Sequence, residues 1–154
     1  MLFRSVHDER LGLFAVADGM GGHQAGEVAS ATAIEALRAA IAGGALVTDA
    51  VALANTAVVE KADANPAMQG MGTTMTAAVE VTGGLRIGHV GDSRCYVLRE
   101  GILARVTDDH SLVEELVRDG RITLEQAAVH PQRSVITRAL GIEEEVEEIG
   151  RAHV

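Results

Sequence analysis

Leu13-Phe-Ala-Val-Ala-Asp18-Gly-Met-Gly-Gly-His23 is an apolar run that ends in an aspartate and a glycine-rich turn. Leu85-Arg-Ile-Gly-His-Val-Gly-Asp92-Ser-Arg94 repeats the arrangement later in the chain. Each reads as a buried strand that delivers a carboxylate at its carboxyl end, where glycine lets a backbone or a ligand come close. Two such ends in one small domain suggest that the carboxylates meet. Carboxylates that meet need a cation or a shared proton.

Outward from these runs the pattern is α+β. Residues 11–17 read as a buried strand, His7-Asp-Glu-Arg10 as a hairpin turn, and residues 2–6 as the partner strand. Residues 28–42 form an Ala-rich helical pattern with Ile34, Leu37 and Ile41 on one face, and Gly43-Gly44 ends it. Residues 48–63 form a second helix with Val51, Ala54 and Val58 aligned, closed by Asn65-Pro66. The period then changes to that of strands, over 73–81, 85–90, 94–99 and 102–106, with Gly83-Gly84 and Glu100-Gly101 as two-residue turns. Ser111-Leu-Val-Glu114 and Thr123-Leu-Glu-Gln126 are capping-box patterns that open short helices. Val146 begins a further strand. Helices grouped apart from a strand meander predict helices packed on antiparallel sheet rather than βαβ alternation.

Composition bounds the function. At 154 residues the chain is one domain or part of one, and 47% hydrophobic residues suffice for a core. Thirteen basic residues against 22 acidic ones, with no Lys/Arg cluster, exclude a phosphate-tracking nucleic-acid surface. No apolar run reaches the roughly 20 residues that span a bilayer. Cys95 is the single cysteine, so no intramolecular disulfide forms, and a reducing cytoplasm fits. The acidic run from Glu143 to Glu148 reads as a solvated face or edge strand.

Asp18 is a hard oxygen ligand suited to Mg²⁺ or Mn²⁺, and the Gly19 carbonyl could face the same ion; an ordinary Asp-Gly turn explains both equally. Asp92 is either a second carboxylate for that cluster or part of a tight bend after Gly91. His23 could donate a proton or orient a metal-bound water, or could be merely solvated. His89 reads as packing; Thr73-Thr74 could hydrogen-bond near a site, though as β-branched residues opening a strand they need no such role. Asp108-Asp109-His110 resembles a metal triplet, but favouring the amino end of the following helix is the simpler reading. Arg133 and Arg138 could fork a phosphate, but ion pairs with the acidic tail are the simpler reading. A dinucleotide loop fails because Gln24 stands where its third glycine belongs.

Taken in order, Val16-Ala-Asp-Gly-Met-Gly-Gly-His23, Gly72-Thr-Thr74, Gly91-Asp-Ser-Arg94, Asp109-His-Ser111, His130-Pro-Gln-Arg-Ser-Val135 and Thr137-Arg-Ala-Leu-Gly141 resemble the bacterial metal-dependent Ser/Thr protein phosphatases of type 2C, the PPM family. The resemblance runs from about Leu11 to Gly141 and treats residues 1–154 as a single, partial domain of that type. It implies an α-β-β-α sandwich of two antiparallel sheets between pairs of helices, incomplete at the amino and carboxyl ends. It also implies a binuclear Mn²⁺ or Mg²⁺ centre with a third, weaker site. Asp18 would bridge the two ions, Gly19 would offer its carbonyl, Asp92 would serve the weaker ion, and residues 109–133 would form a flap. The implied activity is hydrolysis of phosphoserine and phosphothreonine on proteins by a metal-activated water, with Asp18 and His23 as catalytic residues. The implied partners are phosphoproteins and a bacterial Ser/Thr kinase.

The chain also departs from the family pattern. The family opens with an Arg-x-x-Asn-Glu-Asp stretch whose arginine holds phosphate and whose acid helps bind metal; Arg4-Ser-Val-His-Asp-Glu9 mimics it, yet residues 4–9 read as strand and turn. The family continues past the region of Gly141 to an Asp-Gly-Leu motif and a final Asp near an Asn, both aspartates being metal ligands. Asp119-Gly120-Arg121 is no substitute, since it lies in the flap-like segment. Fewer carboxylates mean a weaker cation site, so the expectation is a phosphatase-type chain of weak or no activity. The competing expectation is a non-catalytic module that binds or regulates a phosphoprotein, with nucleotide binding at the glycine-rich loop as a third.

Overall fold

Leu13, Ala15, Ala17 and Gly19 are buried while Phe14 and Asp18 between them are exposed and Val16 is half-buried, and this alternation sets one face of a sheet under helices. The computed structural model describes residues 3–146 and the backbone of 150–153. Strands β1 (Phe3–Asp8), β2 (Leu13–Met20), β4 (Met75–Val81), β5 (Gly84–Val90) and β8 (Gly150–His153) form an antiparallel sheet in the order β1-β2-β4-β5-β8. The short β3 (Gly72–Thr73) pairs with the end of β2. A separate two-stranded ribbon joins β6 (Tyr96–Arg99) and β7 (Ile102–Arg105). Helices α1 (His23–Ala42) and α2 (Val47–Asp63) pack on each other and on β2, β4 and β5. Two short helices, α3 (Leu112–Arg118) and α4 (Leu124–Ala128), follow the ribbon.

The core is built from small aliphatic residues, which is how a chain with almost no aromatics closes one. Ala25, Ala29, Ala33, Leu37 and Ile41 of α1 are buried over β2, and Val47, Ala50, Val51, Ala54 and Val58 of α2 complete the layer. The opposite face of the sheet leaves Phe3 and Phe14 at 42% and 41% exposure, and the ribbon leaves Leu98, Ile102 and Leu103 in solvent. Two sheets with helices on the outer face of one are therefore present. The second sheet is only two strands wide among the described residues.

Several boundaries differ from the sequence reading. The first hairpin turns at 9–12 rather than 7–10, because His7 pairs with Phe14 and stacks on its ring at 4.5 Å. Residues 4–6 are strand, as the spacing predicts, and the strand runs on through His7 and Asp8. Helix α1 begins at His23, five residues early, because Gly21 and Gly22 at φ +101° and +92° complete the turn before it. The 73–81 strand is broken at Thr74 into β3 and β4. The ribbon strand begins at Tyr96 rather than at residue 94. Val146 lies outside any strand, residues 147–149 fall outside the described residues, and β8 starts at Gly150. Thr123 and Gln126 form a reciprocal capping box, whereas Ser111 caps α3 alone because Glu114 turns to Arg105 at 2.6 Å.

Candidate metal centre

Asp18 stands exposed near the end of β2, with its backbone clamped by Thr74. The Thr74 N–H donates to the Asp18 carbonyl at 2.9 Å, and the Asp18 N–H donates to Thr74 Oγ1 at 3.1 Å. Thr74 Oγ1 also shares a 2.8 Å hydrogen bond with Ser93 Oγ. One buried threonine thus ties the Asp18 strand end to the turn that carries Asp92. The sequence leaves open whether Thr74 hydrogen-bonds near a site, and the fold places its hydroxyl beside Asp18 and Ser93.

Gly91 makes the meeting sterically possible. Its φ is +107°, and a Cβ there would lie 2.6 Å from Thr74 Cγ2. The Gly91 N–H donates to His110 Nδ1 at 3.1 Å, and the His110 N–H returns a 2.8 Å bond to the Gly91 carbonyl. The turn is thereby stitched to the 108–111 segment.

That segment does not serve the helix end that the sequence reading assigned to it. Asp109, 7% exposed at its side chain, receives Arg94 Nε and Nη2 in a fork with contacts of 2.6–3.0 Å. The pair raises the Arg94 guanidinium pKa above its ordinary value, with the Asp109 hydrogen bond as the largest cause. Arg138 pairs with Glu115 at 3.5 Å, and residues 147–149 of the acidic tail lie outside the described residues. Arg133 lines a cleft of about 560 Å³ beside Asp92, together with Arg94, Arg105, Asp109 and Ser111.

His23 sits exposed at the start of α1 and makes no hydrogen bond to Asp18 or Asp92 among the described residues. Asn55 was missed by pattern reading, although a polar residue between Ala54 and Val58 on a buried helix face is a visible signal. Its Nδ2 donates to the Glu143 and Glu144 carbonyls at 2.9 and 3.1 Å, and its Oδ1 accepts the Gly141 N–H at 2.7 Å. The loop after Leu140 is held by this one side chain.

The donors suit a hard divalent cation in kind: two exposed carboxylates on glycine-flanked strand ends, all oxygen and no thiolate. In number they are few. No group of three His, Cys, Asp or Glu side chains gathers among the described residues.

Comparison with known proteins agrees with the geometry. The profile of protein phosphatase 2C matches residues 2–139. The serine/threonine protein phosphatase PstP of Mycobacterium tuberculosis H37Rv is 48% identical over 134 residues, covering 83% of this chain and 26% of PstP. The Listeria monocytogenes EGD-e phosphatase stp is 41% identical over 142 residues, covering 86% of this chain and 56% of stp. A crystal structure of M. tuberculosis PstP/Ppp superposes with a TM-score of 0.87 at 42% identity, over 99% of this chain and 66% of that one. A PstP catalytic domain in complex with two manganese ions superposes at 0.81 with 38% identity, over 99% and 65%. The chain spans from about a quarter to little more than half of these two curated relatives. With the ordered motifs, the strand ends joined through Thr74 and the profile match all falling on the same residues, the chain belongs to the protein phosphatase 2C family.

Proposed function

We propose that the chain carries the Asp18–Asp92 part of a divalent-metal phosphatase site that hydrolyses phosphoserine and phosphothreonine on proteins. The observation that carries this reading is the Thr74 link, which brings two carboxylate-bearing strand ends to one place. PstP and stp are named serine/threonine phosphatases, and the manganese complex of PstP supports the same metal chemistry.

In this reading Asp18 and the Gly19 carbonyl would hold the Mn²⁺ or Mg²⁺ of a binuclear centre, and Asp92 would serve a further, weaker ion. A cation held there supplies activation of water and neutralises charge on the transferring phosphoryl group. The chain's own residues do the positioning. Thr74 fixes the Asp18 backbone, Gly91 lets the Asp92 turn approach, and His23 offers a proton from the rim. Phosphoproteins are the substrates, with a bacterial Ser/Thr kinase as the opposing enzyme. The lone, half-buried Cys95 fits a reducing cytoplasm. No helix among the described residues is long and apolar enough to cross a membrane.

The small number of carboxylates favours a second reading, a module that binds a phosphoprotein without turning it over. Hydrolysis of an aryl phosphate across a Mn²⁺ titration, with Asp18→Asn as control, separates the two. Metal-dependent turnover lost in Asp18→Asn supports the enzyme. No turnover from a folded chain that still binds a phosphopeptide supports the module.

A further inference from the structure

His89 has a role that its apolar neighbours in sequence conceal. It is 1% exposed on β5, directly across from Thr76 on β4. Its Nε2 lies 3.0 Å from the Asp108 carbonyl, which can only accept, so Nε2 carries a proton. Its Nδ1 lies 2.9 Å from Thr76 Oγ1, and that hydroxyl also lies 2.7 Å from the Ser93 carbonyl. A hydroxyl has one proton to give. With a neutral ring, Nδ1 and the Ser93 carbonyl compete for it. With Nδ1 protonated, the ring donates to Thr76, Thr76 donates to Ser93, and every contact is satisfied.

We propose that His89 is a proton-gated positioning residue for the Asp92–Ser93 turn. Ring protonation commits the Thr76 hydroxyl to the Ser93 carbonyl; loss of that proton lets the hydroxyl swing to Nδ1 and slackens the turn. The same turn is held from its other side by Thr74, so the gate acts one bond from the clamp on Asp18. The gate stands on this geometry, and only its bearing on catalysis rests on the proposed role of Asp92.

The surroundings set where the gate works. Burial disfavours the charged ring, while the Asp108 and Gly91 carbonyls and the Asp109 and Asp92 carboxylates favour it. The balance places the ring pKa below the ordinary 6.5. His110 faces the ring with centroids 5.1 Å apart, and its Nδ1 accepts from the Gly91 N–H. Thr76 is the facing β4 residue and is uncharged.

The test is an NMR titration of the isotope-labelled chain from about pH 8 to about pH 5, the range in which histidine changes charge. The Arg94 amide shares a peptide unit with the Ser93 carbonyl and so reports on that bond. The expected result is a His89 ring midpoint below 6.5 that the Arg94 amide follows. In Thr76→Val the ring still titrates and the Arg94 amide no longer follows; Thr76→Ser restores the coupling. A His89 ring that does not titrate, an Arg94 amide that ignores it, or an amide response that survives Thr76→Val would overturn the proposal. A transition followed by the Gly91 amide while His89 is silent would assign the event to His110 and overturn it equally. The wild-type titration decides the matter even where a variant fails to fold.

Discussion

Gly19 and Gly26 meet backbone to backbone: a Cβ on Gly19 would lie 1.8 Å from the Gly26 carbonyl oxygen, and one on Gly26 would lie 2.8 Å from the Gly19 carbonyl carbon. The first turns of α1 therefore rest on the strand end that carries Asp18, with no side chain between them. Gly26→Ala or Gly19→Ala must push the helix from the sheet. The expected loss is about 3 kcal/mol, the upper part of the usual overpacking range, read as a lower urea midpoint.

Thr74→Val keeps the shape of the side chain and removes the hydroxyl that serves Asp18 and Ser93. A part-buried N–H left without its acceptor costs about 1–3 kcal/mol. The variant should also need more Mn²⁺ for any phosphatase response. Thr74→Ser, which keeps the hydroxyl, should retain most of both. Denaturation and a metal titration on the three proteins check this.

Asn55→Leu leaves the Gly141 N–H and the Glu143 and Glu144 carbonyls without their partner. Gly141 cannot move inward to compensate, since it holds φ +88° hard against Val58. A loss of about 2–3 kcal/mol follows, with faster hydrogen exchange at the Gly141 amide than at amides in the centre of β4.

Asp109→Asn breaks the fork with Arg94 and lengthens the reach of Arg105. Because Arg94 is 47% exposed, solvent takes up part of the loss, and the cost should be about 1.5–3 kcal/mol. Arg94→Lys should not be silent either, because an ammonium cannot present two parallel donors. Urea midpoints for both variants check the pair.

Stability should fall as the pH drops below about 6.5. Burial lowers the His89 pKa in the folded chain, so the unfolded chain takes up a proton that the native state resists. The contribution is whole above the unfolded value, declines through the window between the two values, and levels off once the folded ring protonates. His89→Gln, which cannot titrate, should flatten the profile of urea midpoint against pH over that window.

The local elements were legible because their signals are local. Apolar runs marked β2 and β5, the three-to-four spacing marked α1 and α2, and Glu100-Gly101 marked the β6–β7 hairpin, while the β4–β5 turn falls at residues 82–83, one residue before the expected Gly83-Gly84. Asp18 and Asp92 were singled out for the same reason, as strand ends beside glycine. Sequence alone did not decide which partner each polar side chain would take, because those partners lie far along the chain. Thr74 reads equally as strand filler or as a hydrogen-bonding residue near a site, and the fold decides by setting its hydroxyl beside Asp18 and Ser93. Asp109 looked like a helix-end charge until the ribbon brought Arg94 to it. His89 reads as packing from its neighbours in sequence, and Asn55 carries no motif at all; their partners come from segments 19 and 86 or more residues away. A hydrogen bond needs donor and acceptor within about 3 Å, and only the folded chain sets which groups come that close.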